Sequence, residues 1–363
     1  MTRVAYLSNE WTRLPNESLI PGGCTYYRCW LPMHASRYDA ALGRPAWTSQ
    51  HGFGVNEGNS QATFGYNVVV LKQIMDRWIP HQMEVAQSLG QKIIVDVDDF
   101  YHDLHPDNNA YRTTDPEVNK VRNRDIYERI IRMADMVVVS TPTLLEFYGQ
   151  WNPNTRVVRN SVYPSQFVRK NVSRETPVIG WVGALAYRSG DIETLKPWLG
   201  DFLADHDLRF LHAGHVPSMG SIADAAGIDP ERVDTLPMQP MNRYHLLFNM
   251  DIGLVPLNDI PFNQAKSFIK GLEYTASGIP FVAYGTNEYE LLAQDGVGRV
   301  AYTPDGWAAQ VRDLLDYKTR KRDAATSFHN MEQKHTIKQR EDEWRSVITD
   351  LLNPKNTGRA TAH

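Results

Sequence analysis

The sequence predicts an α/β protein with two domains, each built on a mostly parallel β-sheet. The chain has 363 residues, which is more than one typical hydrophobic core accommodates. Short apolar, β-branched stretches alternate with helical patterns in both halves of the chain, as in parallel sheets covered by helices. A polar, proline-flanked segment at residues 164–177 interrupts this alternation, which then begins again. In such sheets, ligands bind outside the carboxyl ends of the strands.

Nine apolar stretches are predicted strands. They are residues 3–7, 66–71, 92–97, 135–141 and 155–161 before the linker, and 178–183, 208–214, 251–257 and 280–285 after it. Helices are predicted between them, including 242–249 and 264–277. The predicted domains are residues 1–165 and 177–335, followed by a helix at 336–352 that packs toward the first domain and a flexible tail at 353–363.

Residues 51–58, HGFGVNEG, are glycine-rich without being a nucleotide-binding loop. Their glycines do not fit the pattern G-x-G-x-x-G, and no clear strand precedes them. We therefore predict a flexible loop that contacts the acceptor.

Composition narrows the function classes and the location of the protein. A formal net charge of −4 provides no global attraction to nucleic acid or anionic lipid, although a local basic groove remains open. No apolar run approaches the roughly 18 residues of a membrane span, and the polar N-terminus does not resemble a signal peptide. Cys24 and Cys29 lack the companion ligands of a zinc site. We therefore expect a cytoplasmic protein.

Residues 262–280, FNQAKSFIKGLEYTASGIP, carry the strongest functional pattern. A helix that begins near Asn263 follows a predicted strand, and the free N–H groups at such a terminus favour a phosphate. Lys266, Lys270 and Glu273 follow one stripe of this helix. The two lysines could neutralise a diphosphate, and the carboxylate could accept hydrogen bonds from ribose hydroxyls. A solvated helix face with Lys–Glu pairs is the alternative that spacing alone leaves open.

This segment, together with the strand DIGLVPL before it, resembles the donor-binding segment of GT-B glycosyltransferases. The resemblance is to the retaining family 4 group, and especially to its phage and phage-like members. It implies two Rossmann-like domains whose parallel sheets face a central cleft, and it implies that Glu273 contacts the ribose of a nucleotide-sugar. The family pattern has an earlier Glu eight residues before this position, where Ala265 stands in this chain.

Two further segments resemble the same family. VIGWVGALAYRSGDIETL, residues 178–195, resembles the opening of the second domain, which implies that Gly183 allows the backbone to approach the donor and that Arg188 meets the diphosphate. IPGGCTYYRCWLP, residues 20–32, resembles the glycine-rich loop that faces the donor phosphates. This second likeness implies close backbone approach at Gly22 and Gly23 and added positive charge from Arg28.

Residues 93–105, IIVDVDDFYHDLH, crowd acidic and histidine side chains at one strand end. Asp96 and Asp98 form a D-x-D, which carries a divalent metal in GT-A glycosyltransferases. Three roles remain open for this segment: metal ligation, capping of the next helix, and a role in the cleft. In the last role, Asp98, Asp99 or His102 orients the acceptor hydroxyl or takes its proton.

These observations predict a glycosyltransferase, either a hexosyl- or a pentosyltransferase. It moves a sugar from a nucleotide-diphosphate-sugar to an acceptor hydroxyl, with retention and without a divalent metal or other cofactor. The predicted catalytic residues are Asp98, Asp99, His102, Arg188 and Lys266, and the predicted donor-binding residues are Gly22, Gly23, Arg28, Gly183, Arg188, Asn263, Lys266, Ser267, Lys270 and Glu273.

The acceptor remains open between a protein side chain, a modified DNA base and a glycan. If the protein is phage-encoded, the expected location is the host cytoplasm. Two other functions also remain open: a nucleotide-sugar epimerase of the same architecture, and a noncatalytic nucleotide-binding module.

Overall fold

The computed structural model describes residues 2–58, 61–168, 176–187 and 190–353. Arg188, residues 169–175 of the predicted linker, and residues 354–363 of the predicted tail lie outside these described residues. The chain divides into two compact units. Unit 1 comprises Met1–His102, Thr113–Asn160 and Ile337–His363, and unit 2 comprises Asp103–Arg112 and Ser161–Thr336.

The described residues contain the following strands and helices. The strands are β1 (Arg3–Ser8), β2 (Trp11–Arg13), β3 (Leu19–Pro21), β4 (Asp39–Thr48), β5 (Gly52–Asn56), β6 (Val68–Lys72), β7 (Lys92–Val97), β8 (Met136–Val139), β9 (Thr155–Val157), β10 (Ile179–Val182), β11 (Phe210–His215), β12 (Val233–Pro237), β13 (Ile252–Val255), β14 (Phe281–Tyr284) and β15 (Arg299–Ala301). The α-helices are α1 (Gly23–Thr25), α2 (Leu31–Ala35), α3 (Ile79–Ser88), α4 (Tyr111–Thr114), α5 (Asn123–Met133), α6 (Pro142–Tyr148), α7 (Leu199–Asp205), α8 (Ile222–Ala226), α9 (Pro261–Gln264), α10 (Ile269–Ala276), α11 (Asn287–Gln294), α12 (Pro304–Leu315), α13 (Tyr317–Lys334) and α14 (Ile337–Leu352). A π-helical segment, Tyr26–Trp30, joins α1 to α2, and short 3₁₀ segments include Leu185–Tyr187 and Met241–Leu247.

The main sheet of unit 1 has the strand order β5-β4-β1-β6-β7-β8-β9. From β4 to β9 the pairing is parallel, and only β4 and β5 pair antiparallel. The five strands predicted in this half are confirmed. Four of them, β1, β6, β7 and β8, carry buried apolar runs inside the sheet, whereas β9 is a half-buried edge strand of three residues, shorter than the predicted 155–161.

The predicted loop at residues 51–58 is wrong over most of its length. Residues 52–56 form the edge strand β5, with Phe53 and Val55 fully buried. Gly54 is required there because a Cβ would lie 2.2 Å from the carbonyl oxygen of Thr63. Glycines in this strand therefore mark close backbone approach rather than mobility.

The sheet of unit 2 has the order β12-β11-β10-β13-β14-β15 and is parallel throughout. The four strands predicted in this half are confirmed as β10, β11, β13 and β14. Strands β12 and β15 were not predicted, since these edge strands are only partly buried and carry only part of an apolar run.

Helix α14 packs in unit 1, although it follows unit 2 in the chain. Trp344, Val347 and Ile348 are buried in a cluster with Val4 and Tyr6 of β1. The last described helix therefore completes the core of unit 1 by covering its sheet. Among the described residues, no helix combines the length and the apolar character needed to cross a membrane.

Candidate functional site

The segment after β13 is divided into two helices rather than one. Helix α9 begins at Pro261 with Ile260 as its N-cap residue, and α10 begins at Ile269 after Phe268. The predicted single helix capped by Asn263 is therefore wrong, since Pro261 starts a separate turn and Asn263 lies inside it. Lys266 and Ser267 are half-buried in the connection that leads into the N-terminus of α10.

Asn263 has a different role, in a buried polar network. Its side-chain amide donates to Asp191 Oδ1 at 2.6 Å and to the backbone carbonyl of Asn258 at 3.0 Å. The backbone N–H of Asn258 donates to the same Asp191 oxygen at 3.1 Å. Because Asp191 follows β10 and Asn258 follows β13, the network ties together two loops at the carboxyl end of the sheet. Neither Asp191 nor Asn258 was predicted, as local spacing does not connect them.

Glu273 is buried in the middle of α10, with 3% of its surface exposed. Lys270 Nζ lies 2.6 Å from Glu273 Oε2 and 2.7 Å from the hydroxyl oxygen of Tyr244. The hydroxyl of Tyr244 in turn donates to Glu273 Oε2 at 3.2 Å. The structure thus brings the predicted Lys270 and Glu273 together and adds Tyr244, which the sequence did not single out.

Tyr274 anchors α10 to the sheet beside Glu273. Its hydroxyl accepts a hydrogen bond from Val182 N at 3.0 Å and donates to the Leu254 carbonyl at 3.2 Å, which joins the helix to β10 and β13. Gly253 permits this approach, because a Cβ there would lie 2.7 Å from the Tyr274 ring. Gly278, with φ +74°, follows the helix end, as predicted. Glu273 is consequently held at a fixed height near the carboxyl ends of the strands.

Gly183 stands directly after β10, at the start of the loop that carries Asp191. Its carbonyl lies 3.0 Å from His212 Nε2, and its N–H donates to Ala213 O at 2.8 Å. A Cβ at Gly183 would lie 2.6 Å from the Trp181 ring. The packing of Trp181 therefore supplies a reason for this glycine that is independent of any ligand.

Lys266 is the other predicted cation of the segment. Its Nζ lies 4.2 Å from the centre of the Phe262 ring, within the range of a cation–π contact. This contact holds the ammonium group just before the N-terminus of α10, whose dipole favours anions.

In unit 1, Arg28 is fully enclosed, with 1% of its surface exposed. Its guanidinium donates to both oxygens of Asp96, the shortest contact being 2.6 Å, and also to the Val158 carbonyl and Asn160 Oδ1. This placement argues against the predicted contact of Arg28 with the donor phosphates. The residue instead neutralises a buried carboxylate.

Gly22 and Gly23 lie at the start of the helical segment that includes α1, beside Glu10. The Glu10 carboxylate accepts from Thr25 N at 2.9 Å, and burial raises its pKa. A Cβ at Gly22 would lie 2.8 Å from Glu10 Cγ, whereas Gly23 has open space. Glu10 therefore caps the backbone where the resemblance predicts donor phosphates, so that an anion approaching this loop meets a carboxylate.

The two carboxylates of the D-x-D each face a cation. Asp96 binds Arg28, and Asp98 Oδ1 lies 2.5 Å from Lys72 Nζ, with Lys72 buried. Although burial opposes ionisation, Lys72 brings the pKa of Asp98 below its ordinary value. Within the described residues no group of three or more His, Cys, Asp or Glu side chains is arranged to hold a metal ion. The two ion pairs therefore favour a role other than metal ligation for Asp96 and Asp98.

Asp99 and His102 follow this strand end. Asp99 is half-buried, and its carbonyl accepts from Tyr101 N. His102 Nδ1 lies 3.0 Å from the Tyr148 hydroxyl, and the imidazole packs edge-to-face against Trp151. Burial lowers the pKa of His102 to about 4, so the ring is neutral at neutral pH and is a weak proton acceptor.

Comparison with known proteins shows the fold of the chain. No protein-family model matches the sequence, and no curated protein matches it either. The structure of Anabaena Alr3699/HepE in complex with UDP-glucose is similar to this chain, with a TM-score of 0.66 and 14% sequence identity over 96% of this chain and 100% of that chain. Another HepE structure, with UDP and glucose, has a TM-score of 0.63 and 14% identity over 98% and 100% of the two chains.

A second similar protein is the α,α-trehalose 6-phosphate synthase from Burkholderia multivorans, with a TM-score of 0.62 and 11% identity over 98% of this chain and 100% of that chain. A TarM variant from S. aureus, in complex with fondaparinux, α-GlcNAc-glycerol and UDP, has a TM-score of 0.57 and 12% identity over 79% and 55% of the two chains. The mixed α/β fold with parallel sheets is therefore the GT-B fold of these glycosyltransferase structures, as predicted.

Proposed function

We propose that the protein is a glycosyltransferase that moves a sugar from a UDP-sugar to an acceptor hydroxyl. The observation that carries the proposal is buried Glu273 on α10, beyond the carboxyl end of β13, in a fold whose solved examples hold UDP-glucose or UDP. Its carboxylate would accept hydrogen bonds from the ribose hydroxyls. Lys266 and Ser267, in the connection just before α10, would meet the diphosphate together with Arg188, which lies outside the described residues.

The cations and the helix terminus would stabilise the charge that develops on the leaving diphosphate. No divalent metal or other cofactor enters this proposal, and the sugar would be transferred with retention of its anomeric configuration. Asp98, Asp99 and His102, at the carboxyl end of β7, would orient the acceptor rather than hold the donor. Because His102 is neutral and Asp98 is ion-paired, we assign these residues to binding and orientation of the acceptor rather than to proton transfer.

For the acceptor, we propose the hydroxyl of a carbohydrate or polyol. One solved structure of this fold is a complex with UDP and glucose, and another is a complex with fondaparinux, α-GlcNAc-glycerol and UDP, which supports that class over a protein side chain or a modified DNA base. The formal net charge of −4 supports the same choice, since a DNA acceptor needs an extended basic surface.

The test is a screen of UDP-, GDP-, ADP- and dTDP-sugars for donor hydrolysis and for transfer to monosaccharides and glycerol, with and without EDTA. We expect release of UDP from a UDP-sugar, insensitive to EDTA and reduced at least tenfold in Glu273→Ala and in Lys266→Ala. NMR of the initial product anomer tests retention.

Binding of UDP without turnover of any donor would favour the noncatalytic nucleotide-binding module. Interconversion of two UDP-sugars without an acceptor would favour the epimerase. Failure to bind any nucleotide would contradict the donor site itself.

A further inference from the structure

Tyr244, Lys270 and Glu273 form a closed set of polar contacts between two elements of unit 2. Lys270 and Glu273 are one helical turn apart on α10, whereas Tyr244 comes from the 3₁₀ segment Met241–Leu247. Lys270 donates hydrogen bonds to the Tyr244 hydroxyl and to Glu273 Oε2. The Tyr244 hydroxyl donates to the same carboxylate oxygen, Oε2. That oxygen is therefore fixed from two directions.

Burial gives these contacts their importance. Glu273 has 3% and Lys270 has 16% of its side chain exposed. A carboxylate enclosed in this way requires a counter-charge, and Lys270 supplies it at 2.6 Å. An ammonium group has three N–H donors, and two of them are directed to Glu273 and Tyr244. The charge of Lys270 is thus largely compensated inside its own helix.

Tyr244 is itself held in place by aromatic packing. Its ring meets Phe248 edge-to-face at 5.5 Å, and Phe248 meets Tyr274 of α10 in the same way at 5.7 Å. The Tyr244 hydroxyl is consequently presented to Glu273 by a rigid ring, with little side-chain entropy left to lose when a ligand binds.

We propose that Tyr244 and Lys270 are positioning residues, which hold the Glu273 carboxylate in the orientation that binds the ribose of the donor nucleotide. Lys270 then serves nucleoside recognition. Its spacing in the sequence had instead predicted a contact with the diphosphate. The inference rests on the proposed function, since it concerns the donor site of that reaction. It adds Tyr244 to the site and leaves Lys266 as the described lysine assigned to the diphosphate.

The test compares the affinities of UDP, uridine and 2′,3′-dideoxyuridine, measured by titration calorimetry for UDP and by ligand-observed NMR for the nucleosides. Each of Lys270→Met and Tyr244→Phe is expected to weaken the binding of UDP and the binding of uridine by the same factor. For Lys270→Met this factor is about tenfold. Both variants are expected to reduce the preference for uridine over 2′,3′-dideoxyuridine. The matched control Lys266→Met is expected to weaken the binding of UDP and to leave the binding of uridine unchanged.

If Lys270→Met weakens UDP and leaves uridine binding as in the wild type, Lys270 is a diphosphate ligand and the inference is overturned. Unchanged ribose preference in Tyr244→Phe would overturn it as well. Lys270→Arg, which keeps the charge, is expected to retain the ribose preference and guards against a Lys270→Met variant that fails to fold. If the wild-type chain binds no UDP, the proposed function fails and this inference fails with it, whereas UDP binding with unaffected variants removes the inference alone.

Discussion

Replacing Arg28 by Met tests whether this residue stabilises unit 1 or binds the donor. The substitution removes the guanidinium from Asp96, which is 0% exposed, and leaves a buried carboxylate without its counter-charge. Breaking such a pair costs about 3–5 kcal/mol. The Val158 carbonyl and Asn160 Oδ1 also lose a donor, at about 1 kcal/mol each, and the Trp344 ring loses a cation 5.1 Å from its centre. We expect a loss of about 5–7 kcal/mol in the free energy of unfolding.

The assay is urea unfolding followed by circular dichroism and tryptophan fluorescence, together with titration of UDP. Arg13→Met is the matched control, because the Arg13 side chain is 63% exposed in its pair with Glu17 and its loss should cost at most about 0.5 kcal/mol. The double variant Arg28→Met/Asp96→Leu should recover part of the loss, since no charge is then left buried without a partner. An Arg28→Met protein as stable as the wild type but weaker in UDP binding would refute this reasoning and restore the predicted donor contact.

Three further substitutions test other parts of the structure. Burial lowers the pKa of His102 to about 4, so between pH 4 and the ordinary value of about 6.5 the unfolded chain binds more protons than the folded chain. Stability should therefore fall on acidification through this window, by up to about 3 kcal/mol. Urea titrations at pH 7 and pH 4.5 should show that His102→Phe loses this dependence and exposed His81→Phe keeps it. Asn263→Ala removes the amide that bridges the two loops through Asp191, and calorimetry and unfolding should show weaker UDP binding and a loss of about 2 kcal/mol; wild-type values in both would contradict the network. Trp344→Ala, at a side chain 2% exposed, should cost about 3–5 kcal/mol in unfolding experiments, and a loss below about 1 kcal/mol would show that α14 is dispensable to unit 1.

Most of the central strands could be predicted because their signal is local. The exception is β4, which pairs with β1 inside the sheet but is mostly only partly buried, and it was not predicted. Runs such as KIIVDV coincide with β7 at both ends, since a strand buried on both faces needs continuous apolar residues wherever it pairs. Edge strands lack that requirement, and β5 was consequently mistaken for a loop. The break between α9 and α10, after Gln264 and before Ile269, was missed for a related reason. The apolar stripe continues through the break, so periodicity alone does not reveal it.

The partners of the polar side chains could not be predicted in the same way, because they depend on which elements the fold brings together. Arg28 meets Asp96 across 68 residues of sequence, and Tyr244 meets Glu273 across 29. Spacing on one helix identified Lys270 and Glu273 as neighbours, but it could not say whether the lysine was left to bind an anion. By itself, the sequence determined the two mostly parallel sheets and the helix that carries Glu273, since burial and helical periodicity can be recognised within a short stretch of residues. Only the tertiary structure decided which charges neutralise one another, because ion pairing follows distances in space that chain spacing does not contain.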